Sequence, residues 1–169
     1  EMVAGKKTAR LNGLDTVQGA VDTIEQYFDN GWTDGLPIVP PTEELVGRML
    51  EASGRDPMDV LGIIPPRLGV ATVEAVATNA AMAGCRPEYM PVVIAAVEAL
   101  VDEAFDLRGL QATSDPAAPM VIVSGPVVQH IGINHGVGLF GHGSRSNATI
   151  GRALRLVMVN LGGGHPDSG

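Results

Sequence analysis

Two histidines in a glycine-dense stretch are the first candidates for chemistry in this sequence. His135 and His142 lie seven residues apart, between Gly132 and Gly143. Imidazole exchanges a proton near neutral pH, so either histidine could act as a general acid or base. Neutral imidazole also binds transition metals, and Asp34 or Glu74 could complete such a site. No diagnostic metal spacing such as HExxH or CxxC is present, so proton transfer and metal binding both stay open.

The only cysteine, Cys85, directly precedes Arg86 and a helix that Pro87 introduces. A helix N-terminus and a neighbouring cation both lower a thiol pKa, which would favour a nucleophilic or redox-active thiolate. A lone cysteine between apolar helices is also common as an inert core residue. A single cysteine excludes an internal disulfide and is typical of a reducing compartment, so we expect a cytoplasmic protein.

A helix is predicted after the glycine-rich stretch, with Asn147 as its N-cap and apolar residues at three- and four-residue steps from Ile150 to Leu161. Its free N–H groups and positive dipole end would face residues 141–146, where they favour an anion. The alternative is that the glycines only permit tight turns and that Arg145 pairs with a carboxylate elsewhere. On the first interpretation a small anionic substrate binds here, through Asn134, Arg145, Ser146, Asn147 and Thr149.

Composition sets limits on the partners. The chain has 169 residues, 45% of them hydrophobic, which is enough for one domain with its own core. A net charge of −8 argues against nucleic acid or an anionic membrane surface as a partner. No apolar run is long enough to span a membrane. Residues 117–165 contain no Asp or Glu, a local reversal of charge in an acidic chain.

The pattern of apolar residues predicts more helix than strand. Helices are expected from Thr16 to Asn30, after Thr42, and as a closely spaced pair after Thr72 and Pro87. The segment between the first two, 32–41, contains three prolines and the only tryptophan, and it is predicted to be a rigid strap or an edge strand. Strands are predicted at 60–64, around 107–113 and at 120–125, and a helical turn at 126–131.

These elements predict an α/β or α+β fold: a helix-rich single domain around a small sheet, with a long Gly-rich loop leading into a C-terminal helix. The expected boundaries are a flexible N-terminal segment at 1–14, a globular domain at 15–164 and a linker or tail at 165–169.

Three segments resemble a poorly characterised bacterial family that is associated with UGSC-type (seleno)proteins, in which Cys or Sec stands in a UGSC motif. They are TDGLPIVPPTEE at 33–44, AGCRPEYMPVV at 83–93 and NATIGRA at 147–153. The resemblance extends from Trp32 to Gly164, but the UGSC motif itself is absent. In that family small residues or proline often stand where this chain has His135 and His142, which implies a subgroup with a different substrate.

The resemblance implies a bacterial intracellular enzyme component that works with a partner subunit or as a homo-oligomer, in redox chemistry or carbon–heteroatom bond cleavage. Combined with the loop, it favours a subunit of a small-molecule enzyme in which His135, His142 and Cys85 are the catalytic candidates. One alternative is a metal-dependent hydrolase or hydratase that binds a transition metal through the two histidines. Another is a non-catalytic subunit that completes a partner's active site.

Overall fold

The computed structural model describes residues 16–113 and 117–165. The segment expected to be flexible at 1–14 and all but the first residue of the expected tail at 165–169 lie outside these ranges. Within the described ranges, no helix combines the length and the apolar character needed to cross a membrane.

Threonine N-caps start three helices, as the sequence predicts. These are α1 (Val17–Asp29), α2 (Glu43–Ser53) and α3 (Val73–Ala83). The residue before each helix is Thr16, Thr42 or Thr72, and its side chain accepts a hydrogen bond from the amide three residues further on. The cap satisfies one of the N–H groups that a helix leaves free at its first turn.

The central element of the core is α3, in which nine of the eleven residues are buried. It packs most extensively against the last helix, α7 (Arg145–Asn160), and also against α2 and α4 (Met90–Leu100). Five residues of α3 are alanines, and small side chains let neighbouring helices approach closely. A short 3₁₀ helix, Pro87–Tyr89, connects α3 to α4.

The sheet is a single antiparallel hairpin of β1 (Val60–Ile64) and β2 (Gly69–Thr72). Ile63 pairs with Val70, and β2 runs directly into α3. Helices that predominate over a small antiparallel sheet define the α+β class, so the structure selects the second of the two predicted classes.

The strand predicted around 107–113 is wrong, because a helix, α5 (Leu107–Ala112), forms there after the 3₁₀ helix Glu103–Phe105. Asp106 precedes α5, and its carboxylate accepts a hydrogen bond from the Gly109 amide. This N-cap outweighs the β-preference of the short apolar run.

The strand predicted at 120–125 is also not formed. Residues 117–124 have no regular secondary structure, and among the described residues no strand pairs with them. Met120 is 68% exposed and Ile122 is 82% exposed, whereas Val123 packs against the core. A sequence with β-preference forms a strand only where another strand accepts its backbone hydrogen bonds. The predicted helical turn after this segment is confirmed as α6 (Val127–His130).

Residues 32–41 form the predicted strap across the helices, without becoming an edge strand. The ring of Trp32 meets Tyr27 of α1 edge-on, with ring centroids 5.2 Å apart. Further along, Ile38 is buried and the Val39 amide donates to the Met82 carbonyl at the end of α3. The strap therefore ties α1 to α3.

An ion pair fixes the strap to α7. The guanidinium of Arg152 donates from Nε and Nη2 to the two carboxylate oxygens of Asp34, at 2.9 and 2.8 Å. Nη2 also donates to the carbonyls of Leu36 and Pro37. Burial opposes the charged form of Asp34, but the hydrogen bonds and charge of Arg152 outweigh it and lower the pKa of the carboxyl. Both carboxylate oxygens of Asp34 are thus engaged with Arg152 in holding the strap.

Candidate functional site

The last helix begins three residues earlier than the sequence predicts. Its N-cap is Ser144, whose hydroxyl accepts from the Asn147 amide, and its first residue is Arg145. Gly143, just before the cap, has a φ of +105°, a conformation that favours glycine. The amides of Arg145 and Ser146 have no hydrogen-bond partner among the described residues. The helix therefore presents two free donors and its positive dipole end.

Asn147 holds the Gly-rich loop against α7. Its amide nitrogen donates to the carbonyls of Asn134 and Leu139, and its amide oxygen accepts from the Asn134 backbone N–H and from the Ser144 hydroxyl. The polar atoms of this side chain are thus committed to the loop. The expected contribution of Asn147 to the site is to position the loop, without free atoms for a substrate.

An open cleft of about 490 Å³ lies between this helix terminus and the joint that connects α3 to α4. Arg145 spans the two walls, because its Nε donates to the Gly84 carbonyl at 2.9 Å. Gly84 ends α3 in the left-handed conformation, with φ of +87°. The other two guanidinium nitrogens of Arg145 have no partner among the described residues. The lining consists of Arg86, Tyr89, Ile131, Gly132, Asn134, His142, Gly143, Ser144, Arg145 and Ser146.

The cleft has a cationic wall and no carboxylate in its lining. Arg86 and Arg145 both line it, and Glu88 lies 3.8 Å from the guanidinium of Arg86. The side chains of Arg86 and Glu88 are each about half exposed, so this pairing contributes little energy. Both arginines are therefore available to a ligand. Such a site fits the anionic group of a small molecule.

Four of the predicted site residues line the cleft: Asn134, His142, Arg145 and Ser146. Ser146 is 1% exposed, and its hydroxyl donates to the Gly132 carbonyl at 2.8 Å. Its side chain therefore supports the loop, while its backbone amide remains free. Asn134 is also engaged locally, because its side chain accepts from Gly136 and donates to Val137.

The other four predicted site residues, His135, Cys85, Asn147 and Thr149, are not in the lining. The hydroxyl of Thr149 donates to the Arg145 carbonyl within α7. His135 and His142 are both exposed, but only His142 lines the cleft. Within the described ranges, no three or more His, Cys, Asp or Glu side chains are grouped so that they could hold a metal ion.

The environment of Cys85 is the reverse of the one its sequence neighbours suggest. The thiol is 3% exposed, and burial raises its pKa to about 11. A hydrogen bond from Sγ to the Thr149 carbonyl and the charge of Arg145 act in the opposite direction, but they are smaller. The expectation of a lowered pKa is therefore wrong, because burial outweighs the nearby cation. Cys85 is a protonated core thiol at neutral pH.

Sequence reasoning missed Arg86 and Tyr89 as members of the site. In the sequence Arg86 stands out only as a neighbour of the thiol, and Tyr89 only within the AGCRPEYMPVV segment. The pattern that could have found them is the sequence Gly84-Cys85-Arg86-Pro87, in which a left-handed helix end is followed at once by a proline-led turn.

The fold and the site define a helix-rich α+β domain with an open, acid-free cleft at a helix N-terminus. Comparison of the chain with protein-family models, with curated proteins and with solved structures found no match. The resemblance to the UGSC-associated family therefore stays a prediction.

Proposed function

We propose that this chain is a subunit or domain of a small-molecule enzyme, and that its cleft binds the anionic group of the substrate. The observation that carries the proposal is the lining itself: two arginines and two unpaired helix amides with no carboxylate among them. Backbone N–H groups at a helix N-terminus and guanidinium groups are the donors that proteins use for carboxylates and phosphates.

In this proposal His142 transfers the proton. It lines the cleft, whereas His135 does not, and a group that exchanges a proton must reach the bound substrate. The proposal gives Cys85 no catalytic role because its thiol is buried. The reaction class, redox chemistry or carbon–heteroatom bond cleavage, rests on the family resemblance alone, and the cytoplasmic location rests on the single cysteine.

A second candidate function is supported by exposed apolar residues in the Gly-rich loop and in the segment before α6. Val137 and Phe140 in the Gly-rich loop are 101% and 84% exposed, and Ile122 is 82% exposed. A contiguous exposed apolar patch is typical of a surface that another chain covers, and Val137 and Phe140 lie three residues apart in one loop. In this version the chain contributes the anion-binding half of an active site that a partner subunit or a second copy completes.

Titration of the ¹⁵N-labelled chain with malonate, followed by NMR, tests the proposed function. We expect the amides of Gly143, Ser144, Arg145 and Ser146 to shift in a saturable manner. Arg145→Gln should weaken binding roughly tenfold or more, because one charge-assisted hydrogen bond contributes about 1.5–3 kcal/mol. The matched control is Arg108→Gln, which removes an exposed arginine from α5 outside the cleft. Absence of any saturable shift in the wild-type chain contradicts the proposal.

The role of His142 is tested by comparing His142→Gln with His135→Gln. If the chain transfers a proton in the cleft, His142→Gln abolishes turnover of any substrate that is found and leaves malonate binding intact, whereas His135→Gln leaves both unchanged. Activity that appears only after a second chain is added, and that survives both substitutions, supports the second candidate instead.

A further inference from the structure

We infer that the ligand of this cleft carries a doubly negative oxyanion head, a phosphate monoester or a dicarboxylate, and that the Tyr89 hydroxyl donates a hydrogen bond to it. The inference rests on the proposed function and adds the substrate class and one further binding residue. It depends on an observation that is independent of the helix terminus.

That observation is a buried tyrosine whose hydroxyl has no partner. Tyr89 is 4% exposed, and within the described parts of the chain its hydroxyl makes no hydrogen bond. Buried tyrosine hydroxyls usually find a partner, because leaving one unpaired costs free energy. An unpaired hydroxyl in the wall of a cleft is a donor that a bound ligand can use in place of water.

The hydroxyl of Tyr89 is not sealed from solvent. Among the described residues, the side-chain polar atoms that are sealed from solvent without a partner are Gln111 Oε1 and Asn160 Oδ1, and the Tyr89 hydroxyl is not one of them. Tyr89 is otherwise buried and lines the cleft. From this membership of the lining we infer that the open surface of the hydroxyl faces the cleft.

The charge of the ligand follows from the charges in the wall. Arg86 and Arg145 contribute two positive charges, and no carboxylate lines the cleft. A dianion can draw on the charge of both guanidinium groups, because the exposed pairing of Arg86 with Glu88 is weak, whereas a monoanion needs only one of them. The volume of about 490 Å³ is within the usual range of small-molecule sites, which leaves room for the rest of the molecule beside the charged head.

The test compares malonate and inorganic phosphate, as the two dianionic sources, with acetate as a monoanion. Binding is measured by NMR shifts at pH 8 and constant ionic strength, because screening would otherwise change with the ligand concentration. We expect at least one dianion to bind roughly ten times more tightly than acetate, since a second charge-assisted contact is worth about 1.5–3 kcal/mol. Tighter binding of phosphate than of malonate identifies the natural ligand as a phosphate monoester, and tighter binding of malonate identifies it as a dicarboxylate.

Tyr89→Phe removes only the hydroxyl, and it should weaken binding of the preferred dianion about tenfold without changing the melting temperature. Tyr27→Phe is the matched control, because Tyr27 is equally buried but lies outside the cleft lining. If acetate binds as tightly as both dianions, the inference that the ligand is doubly negative is overturned. If Tyr89→Phe binds the dianion with unchanged affinity, the role of the hydroxyl is overturned. Both results leave the proposed function standing, whereas loss of all binding in the wild-type chain overturns the proposed function as well.

Discussion

At the scale of single residues, burial decides what each candidate side chain can do. Cys85 and Arg145 lie near each other, and a cation next to a thiol normally favours the thiolate. Here the thiol is 3% exposed, and its pKa nevertheless rises to about 11. The residue types in the sequence indicate which chemistry is possible, but their exposure in the fold decides which of these possibilities is open to each side chain.

The free energy of unfolding should decrease at alkaline pH because the pKa of the Cys85 thiol is raised in the fold. Between the ordinary thiol pKa of about 8.5 and the raised value of about 11, the folded chain keeps a proton that the unfolded chain has released. Folding is then opposed increasingly as the pH rises, by up to about 1.4 kcal/mol per pH unit. Urea unfolding at pH 8 and pH 10.5 measures the loss, and Cys85→Ala is expected to lose less stability over the same interval. Equal losses in both proteins would contradict a raised thiol pKa.

Asn147 and Tyr89 show why the site could be predicted only in part. Asn147 favours an N-cap by type, and the sequence therefore suggested that it starts α7. Ser144 takes that position instead, which leaves the amide of Asn147 to hold the loop. The unpaired hydroxyl of Tyr89 leaves no trace in the sequence, because it depends on which distant residues approach it.

At the scale of elements, the helices could be predicted because their signals are local. A threonine cap and an apolar stripe are both contained within the helix that they specify. The strands at 107–113 and 120–125 could not be predicted in this way, since a strand exists only with its partner. In the first case the Asp106 cap favoured a helix, and in the second no described strand pairs with the segment.

The unpaired segment has a measurable consequence. In residues 120–124 the backbone amides make no hydrogen bond to a described residue, so they should exchange with deuterium nearly as fast as in an unfolded peptide. The amides of Val93 to Val97, inside α4, provide the protected comparison. Hydrogen exchange followed by NMR at neutral pH makes the measurement. Strong protection of 120–124 would mean that another strand, from this chain or a second one, covers the segment.

The strap depends on Asp34 and Arg152, whose side chains are 12% and 19% exposed. Asp34→Asn should lower the free energy of unfolding by about 2–4 kcal/mol at pH 7, because it leaves a guanidinium without its counter-charge. The pKa of Asp34 is lowered in the fold. Its contribution is thus complete above about pH 4, the ordinary aspartate value, and is lost as the pH falls through the folded value.

Urea unfolding at pH 7 and in acid checks both parts of this prediction. The difference between wild type and Asp34→Asn should shrink in acid, where the wild-type carboxyl also loses its charge. Asp29→Asn, at the exposed end of α1, is the control for a general change of charge. A loss of stability as small as that of the control would mean that the strap does not need the ion pair.

At the scale of the whole molecule, the acidic and basic residues are segregated along the chain. The net charge is −8, yet residues 117–165 contain three arginines and no acid. The Gly-rich loop and α7 both belong to this stretch, and they form most of the cleft. An anion that approaches an acidic protein thus meets one region where attraction replaces repulsion. The sequence revealed this segregation directly, whereas the second wall of the cleft, with Arg86 and Tyr89, emerged only from the fold.

The position of the only tryptophan gives the molecule an internal optical reporter. Trp32 begins the strap, touches Tyr27 of α1 and accepts a hydrogen bond from Asn160 at the end of α7 through its carbonyl. Its fluorescence therefore senses the junction at which both ends of the described chain meet, with no label added. Detachment of the strap would change the emission even if every helix, as seen by circular dichroism, stayed intact. A change in emission without a change in circular dichroism thus distinguishes a local opening of this junction from unfolding of the whole domain.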